Sequence, residues 1–291
     1  MNPEVSVIIP TYNRRAMVLD AVASVIAQRD VVFELIVVDD GSTDGTFELL
    51  RTNFADDARV CLTSIPRRGP AAARNYGVAI ARAEFVAFLD SDDLWMPAKL
   101  ARQLAFMRAH PEYSFAQTQE HWIRNGRRVN SGRRHAKRAG DIFLDSLRTC
   151  LISPSAAMLR RDLFEAVAGF DESLGACEDY DLWLRLLVEH EVGLLDEALV
   201  IRRAGHPDQL SATTPALDRF RLITLVKLIQ TPTLSDVRRA AVAEVLAEKC
   251  SIYAQGLERR GKFADAEHYR SLTRPSITSI DAADAQAAIV Q

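Results

Sequence analysis

Three acidic groupings in this sequence have the residue types and spacing to do chemistry. Asp90-Ser91-Asp92 follows the apolar run from Glu84 to Leu89 directly, and the alternating direction of strand side chains leaves both carboxylates near one point where the strand ends. Two hard oxygen donors together suit Mg²⁺ or Mn²⁺, whose remaining shell comes from water and substrate phosphates, so a nucleotide diphosphate is a natural ligand. The same residues also read as a turn and helix cap ahead of Leu94. Asp39 and Asp40 end a second apolar run and are placed to accept hydrogen bonds from a base edge or a ribose, while Asp44 caps the next helix. Glu178 and Asp179 open a helical stretch, where the helix dipole favours carboxylates whether or not they react.

These groups need elements that bring them to one edge. The unbroken β-branched run Val5 to Ile9, stopped by Pro10, reads as a strand buried on both faces. A helix over 16–28 and a second buried strand, Phe33 to Val38, complete a β-α-β unit. The alternation continues through a helix at 44–54, a weaker strand at 60–65, a helix at 71–82 and the strand 84–89, and a helix follows near 97–109. Such alternation predicts a doubly wound, mainly parallel sheet with helices on both faces, whose ligands bind at the carboxyl ends of the strands. After a mixed strand at 113–124 the pattern degrades into a hairpin or loop, a helix at 141–149, strands at 155–160 and 192–203, and a helix at 178–189. Beyond Pro215 the pattern is helical, with a helix-turn-helix of tetratricopeptide type over 247–270. The expected division is therefore a catalytic unit over 1–215, a helical appendage over 216–275 and a frayed tail over 276–291.

Composition narrows the function. In 291 residues, 36 Lys and Arg oppose 39 Asp and Glu, a net charge of −3, which excludes a protein that coats polyanions. Seven cations between Arg124 and Lys137-Arg138 meet no acid, so that stretch is either a solvated face or an attractor for an anionic acceptor such as a lipid phosphate. It lacks the interleaved aromatics of a nucleic-acid surface. Cysteines at 61, 150, 177 and 250 are too scattered for a metal pair or a disulfide framework, which favours a reducing cytoplasmic setting. No apolar window approaches the ~18 residues of a membrane span; peripheral contact with a membrane or a protein, through the helical tail or the basic loop 124–138, stays open.

Read in order, PTYNR, VVDDGSTDGT, RRGPAAARNYG, FLDSDDLW and CEDYDLWLR resemble the family 2 glycosyltransferases of GT-A fold, over about residues 4–211. The resemblance implies that Pro10 and Tyr12 flank the nucleobase, Asp40 reads its edge, and Arg74 holds the base or diphosphate. Asp90 would contact the ribose, with Ser91 in the same donor-binding loop, and Asp92 would ligate the metal. Glu178-Asp179 matches the ED motif, whose aspartate is the general base, and His206 begins the downstream signature that runs to Ser211 and would touch the metal or diphosphate. A sugar hydroxyl is a poor nucleophile at neutral pH, so a carboxylate that takes its proton is what this chemistry needs. The implied activity is transfer of a sugar, with inversion, from a UDP-sugar or similar donor to a hydroxyl during polysaccharide, glycolipid or glycoprotein assembly. The competing reading is an inactive nucleotide-sugar-binding or scaffold protein whose acids only cap helices. A D-x-D phosphohydrolase fits less well, because Leu occupies position 94, and a nucleotidyltransferase lacks its Gly-rich loop, since residues 10–15 read PTYNRR.

Overall fold

In the computed structural model, which describes residues 2–130, 132, 135–206, 209, 214 and 217–272, the centre of the fold is β1 (Val5–Thr11). It lies between β2 (Phe33–Asp39) and β4 (Phe85–Phe88), parallel to both. All three are buried along their whole length, because each face meets helices. Val5, Val7 and Ile9 pack toward α1 (Val18–Ile26) and α4 (Lys99–Ala109), while Ile8 packs toward α3 (Pro70–Ala79). β3 (Val60–Ser64) adds outside β2, reached through α2 (Thr46–Phe54), so these four strands are parallel, as the alternation predicts, and stand in the order 3-2-1-4.

Past β4 the sheet becomes mixed. β8 (Ala157–Arg160) runs antiparallel to β4 and to β6 (Phe115–Arg124), and β9 (Gly193–Ala204) runs parallel to β6. β5 (Leu94–Trp95) closes the far edge antiparallel to β9, and β7 (Arg127–Val129) folds back on β6. Among the described residues, the connection from β6 to β8 carries β7, the single turn α5 (Phe143–Ser146) and a 3₁₀ turn at Pro154–Ala156, and β8 returns antiparallel. The helix expected over 141–149 is correspondingly shorter.

α3 sits unusually close to β1. A Cβ on Gly77 would lie 2.6 Å from Ile8 Cγ2 and 3.0 Å from Ile8 Cγ1, so only glycine permits this approach. Arg74, three residues earlier, shares that inward side of the helix and is carried into the site. Gly77→Ala is expected to cost about 1–3 kcal/mol through overpacking, read as a lower urea midpoint at unchanged slope.

α6 (Arg161–Ala166) follows β8, and α7 (Glu178–Leu187), buried nearly all round, then packs Leu182, Leu184 and Leu186 into the same apolar cluster as Phe220, Leu222 and Leu225 of α8 (Asp218–Ile229). Lys227 fastens the two, donating to Asp181 at 2.7 Å and to Asp171 at 2.6 Å. α9 (Asp236–Glu258) begins at Ser235, whose hydroxyl accepts from the Arg238 N–H, and α10 (Phe263–Ser271) folds back so that Tyr253 and Tyr269 meet edge to face at 4.6 Å. No described helix is long and apolar enough to cross a membrane. The expected tail, 276–291, lies outside the described residues.

Candidate active site

The acidic strand ends gather where strand order reverses. Connections from β1 and β4 leave in opposite directions, which is the position at which doubly wound sheets bind ligands. Ile8 O accepts from Leu89 N–H, so Pro10, two residues on, faces the same side; β4 has ended there and its missing N–H leaves no gap in the ladder. Tyr12 follows just past the end of β1. Arg67 covers one side of its ring at 3.9 Å and donates to its hydroxyl at 2.7 Å.

Asp39 and Asp40 divide their work. Asp39 Oδ2 accepts from Ser42 N–H at 3.0 Å and from the Ser64 hydroxyl at 3.1 Å, fixing the loop after β2. Asp40 takes the N–H groups of Arg68 and Gly69 at 2.7 and 2.8 Å, one on each oxygen, and so braces the turn into α3. Burial raises its pKa against those two hydrogen bonds. Each oxygen keeps a second lone pair for a base edge.

Arg74 joins the acidic loop to the start of α7, reaching Glu178 across 104 residues of sequence. Its guanidinium donates to Glu178 at 2.6 Å and to Asp90 at 2.7 Å, and the Arg74 and Glu178 side chains are each only 6% exposed. Glu178 is thereby committed to a cation. Asp179, one residue on and partly exposed, caps its own helix through Tyr180 N–H at 2.7 Å and lies 3.6 Å from the Cys150 thiol. Burial, and then the charge of Asp179, push the Cys150 thiol well above its ordinary range.

Asp90, Asp92 and Asp93 place carboxylate oxygens within 4.8 Å of one another. Asp93 is fully engaged: Ser155 donates to one oxygen at 2.7 Å and Arg203 N–H to the other at 2.9 Å. Ser155 also accepts from Asp90 N–H at 3.1 Å, so this buried pair shapes the loop. Asp92 Oδ2 meets His206 Nε2 at 2.8 Å. Burial and then Asp90 raise the Asp92 pKa, with Arg14 and His206 opposing; burial, Asp92 and Asp90 raise that of Asp93 still further. Ser91 is buried between them. The remainder of the His206 signature, Pro207, Asp208, Leu210 and Ser211, lies outside the described residues.

Arg203 is a tie that sequence reading passes over. It donates to Asp92 O, to Asp20 of α1 at 2.9 Å and to Met17 O at 3.4 Å, linking β9, α1 and the acidic loop. Asp93 was visible as a third acid beside the triplet; Ser155 and Arg203 carried no local signal. Trp95 and Trp183 are both core residues: Trp95 donates to Ser155 O at 2.8 Å, and Trp183 stacks on Phe115. Farther along β6, Glu120 holds Lys137 at 3.0 Å with both side chains buried, and Ser153 donates to the same carboxylate. Burial works against the Glu120 charge, but Lys137 and Arg202 together hold its pKa down to about 2.

Comparison with known proteins bears on the family and the fold. The family model described as glycosyl transferase family 2 matches residues 6–168. An uncharacterized glycosyltransferase of Rickettsia conorii is 34% identical over 196 residues, 67% of this chain and 32% of its own, so the chain spans about a third of that relative's length. The UDP-Glc:alpha-D-GlcNAc-diphosphoundecaprenol beta-1,3-glucosyltransferase WfgD of Escherichia coli is 32% identical over 193 residues, 66% of this chain and 73% of its own. Among solved structures, S. aureus TarS 1–349 in complex with UDP-GlcNAc superposes with a TM-score of 0.71 at 20% identity, covering 99% of this chain and 90% of that one, which establishes a common fold.

Proposed function

This chain belongs to glycosyl transferase family 2, and from that premise we propose that it moves a sugar from a nucleotide-diphosphate donor to an acceptor hydroxyl, with a divalent cation and with inversion. The observation that carries the reading is the Arg74 bridge: one buried cation holds the donor loop at Asp90 and the start of α7 at Glu178, so Asp179 is held at a fixed place relative to that loop. The donor set suits a hard divalent ion. Asp90 and Asp92 each keep one oxygen without a protein donor among the described residues, whereas both oxygens of Asp93 are taken. When bound there, such an ion stabilises the negative charge that gathers on a departing diphosphate.

The protein's own part follows from its geometry. Pro10, Tyr12 and Asp40 frame a base at the carboxyl ends of β1 and β2, and Asp90 with Ser91 forms the ribose side. Asp179, the carboxylate of its pair that no cation holds among the described residues, takes the acceptor's proton as its oxygen attacks the anomeric carbon opposite the diphosphate. Direct displacement of this kind inverts the centre, and the neighbouring Glu178, bound to Arg74, is not available as a second nucleophile. A uridine donor and a lipid-linked or carbohydrate acceptor draw support from the ligand and substrates in the names of TarS and WfgD.

The test is release of free nucleotide diphosphate from a panel of activated sugars with Mn²⁺, with and without acceptors; a chain that releases none from any of them is not this enzyme. Asp92→Ala is expected to reduce the thermal shift given by donor plus Mn²⁺ to that given by donor alone. A full Mn²⁺-dependent shift in that variant would remove Asp92 from the metal site.

A further inference from the structure

Arg202 on β9 makes no hydrogen bond or ion pair through its guanidinium among the described residues, although it is largely enclosed. It lies 4.8 Å over the ring of Trp122, its register partner on β6. Burial opposes its charge, and Glu120, Asp93, Asp90 and Asp179 favour it. Those acids span the reaction path, since Asp90 and Asp93 shape the donor loop and Asp179 is the base.

Three of them are already satisfied by other groups. Asp90 bonds Arg74, Asp93 bonds Ser155 and the Arg203 N–H, and Glu120 pairs with Lys137. The N–H groups of Arg202 are therefore left for a ligand, at a point of β9 next to Arg203, whose own N–H is bonded to Asp93 of the acidic loop. Trp122 supplies a surface next to it, with its own Nε1 donating to Glu120 at 2.9 Å. Alongside, the β6–β7 hairpin walls a cleft of about 480 Å³ that includes Trp122, His121 and Arg128. Glu120 is its one acidic wall residue, and Lys137 neutralises it.

We propose that Arg202 and Trp122 form the acceptor subsite, and that the acceptor is a phosphorylated sugar: Arg202 binds the phosphate oxygens and the Trp122 ring carries the sugar face. Guanidinium binds phosphate through paired N–H groups, and an aromatic ring presents a flat apolar surface to the C–H face of a sugar. This inference rests on the glycosyl-transfer reading above. The same phosphate chemistry is found in a soluble sugar phosphate and in a polyprenyl-linked one.

Tryptophan fluorescence provides the test, because Trp95 and Trp183 are buried and Trp122 is the partly exposed member of the three tryptophans. The full chain, saturated with UDP and Mn²⁺ so that the donor side is filled, is titrated with a hexose 1-phosphate, with the free hexose, and with phosphatidylcholine vesicles with or without a polyprenyl phosphate. The hexose 1-phosphate or the polyprenyl phosphate vesicle is expected to give a saturable change that its neutral control does not, and which one responds identifies the source. Arg202→Gln should weaken that binding about 10- to 100-fold, Arg202→Lys should recover part of it, and Trp122→Phe should lose the signal. Response to neither phosphate source above its control, or unchanged affinity in Arg202→Gln, overturns the proposal; the wild-type comparison stands even if a variant fails to fold. A thermal shift by UDP run in parallel separates the two readings. A retained UDP shift without a phosphate response sinks this inference alone, and an absent UDP shift sinks the donor site beneath it.

Discussion

Asp179→Asn is expected to lower kcat by about 10²- to 10⁴-fold, the range for removing a positioned general base, while donor affinity stays nearly unchanged. The substitution keeps the shape of the side chain and an oxygen for the Tyr180 N–H at 2.7 Å, so α7 still starts at the same place. It touches neither Arg74 nor the acidic loop, because the other neighbour of Asp179 is the Cys150 thiol. What it removes is the capacity to take a proton from the acceptor. Steady-state kinetics with a donor titration by thermal shift would check this. If KM for the donor rises and kcat holds, Asp179 binds rather than reacts, and the base must be sought elsewhere. The contrast with Asp92→Ala, which should fail at the metal-dependent binding step, separates the two acidic motifs by the stage at which each acts.

Much of the fold was legible because its central strands are buried on both faces. Val5 to Ile9 and Phe33 to Val38 can afford no polar alternation, and such runs stand out in any window. The hairpin between β6 and β7 was legible for a different reason: Asn125 and Gly126 adopt φ of 49° and 74°, the left-handed pair that tight hairpins demand. β5 was not, since two residues show no period, and its identity as a strand depends wholly on Val200 and Ile201 opposite. The mixed half of the sheet was hidden likewise, because strand direction is set by the length and content of connections rather than by the strands themselves.

The site divides along the same line. Asp90, Asp92, Glu178 and Asp179 declared themselves as contiguous acids at element ends. Their connections did not: Arg74 reaches Glu178 across 104 residues, and Arg203 reaches Asp93 across 110. The resemblance gave Arg74 a contact with the base or diphosphate but not its protein partners, which follow only once Gly77 draws the helix onto Ile8 and buries the arginine beside Glu178 and Asp90.

Arg74→Met tests that bridge through stability. The change removes the one cation bonded to a carboxylate whose side chain is 6% exposed, and an uncompensated buried charge costs about 3–5 kcal/mol. For a chain of this size that lowers Tm by roughly 6–20 °C at neutral pH. The pH dependence has a definite sign. Burial already raises the Glu178 pKa above 4.5, with Arg74 opposing, so loss of Arg74 raises it further. The native state of the variant then keeps a proton that the unfolded chain gives up near its ordinary value. Stability from that proton is fully present below about 4.5 and is lost as pH rises through the native pKa. The deficit of Arg74→Met against the parent should therefore be largest at pH 7 and shrink on descent toward pH 5. Arg74→Lys retains the charge but not the forked donors, and should recover stability while leaving Asp90 and Glu178 poorly registered. If the deficit were the same at both pH values, Glu178 would not be carrying a buried charge, and the bridge that sets Asp179 against the donor loop would owe its strength to packing instead.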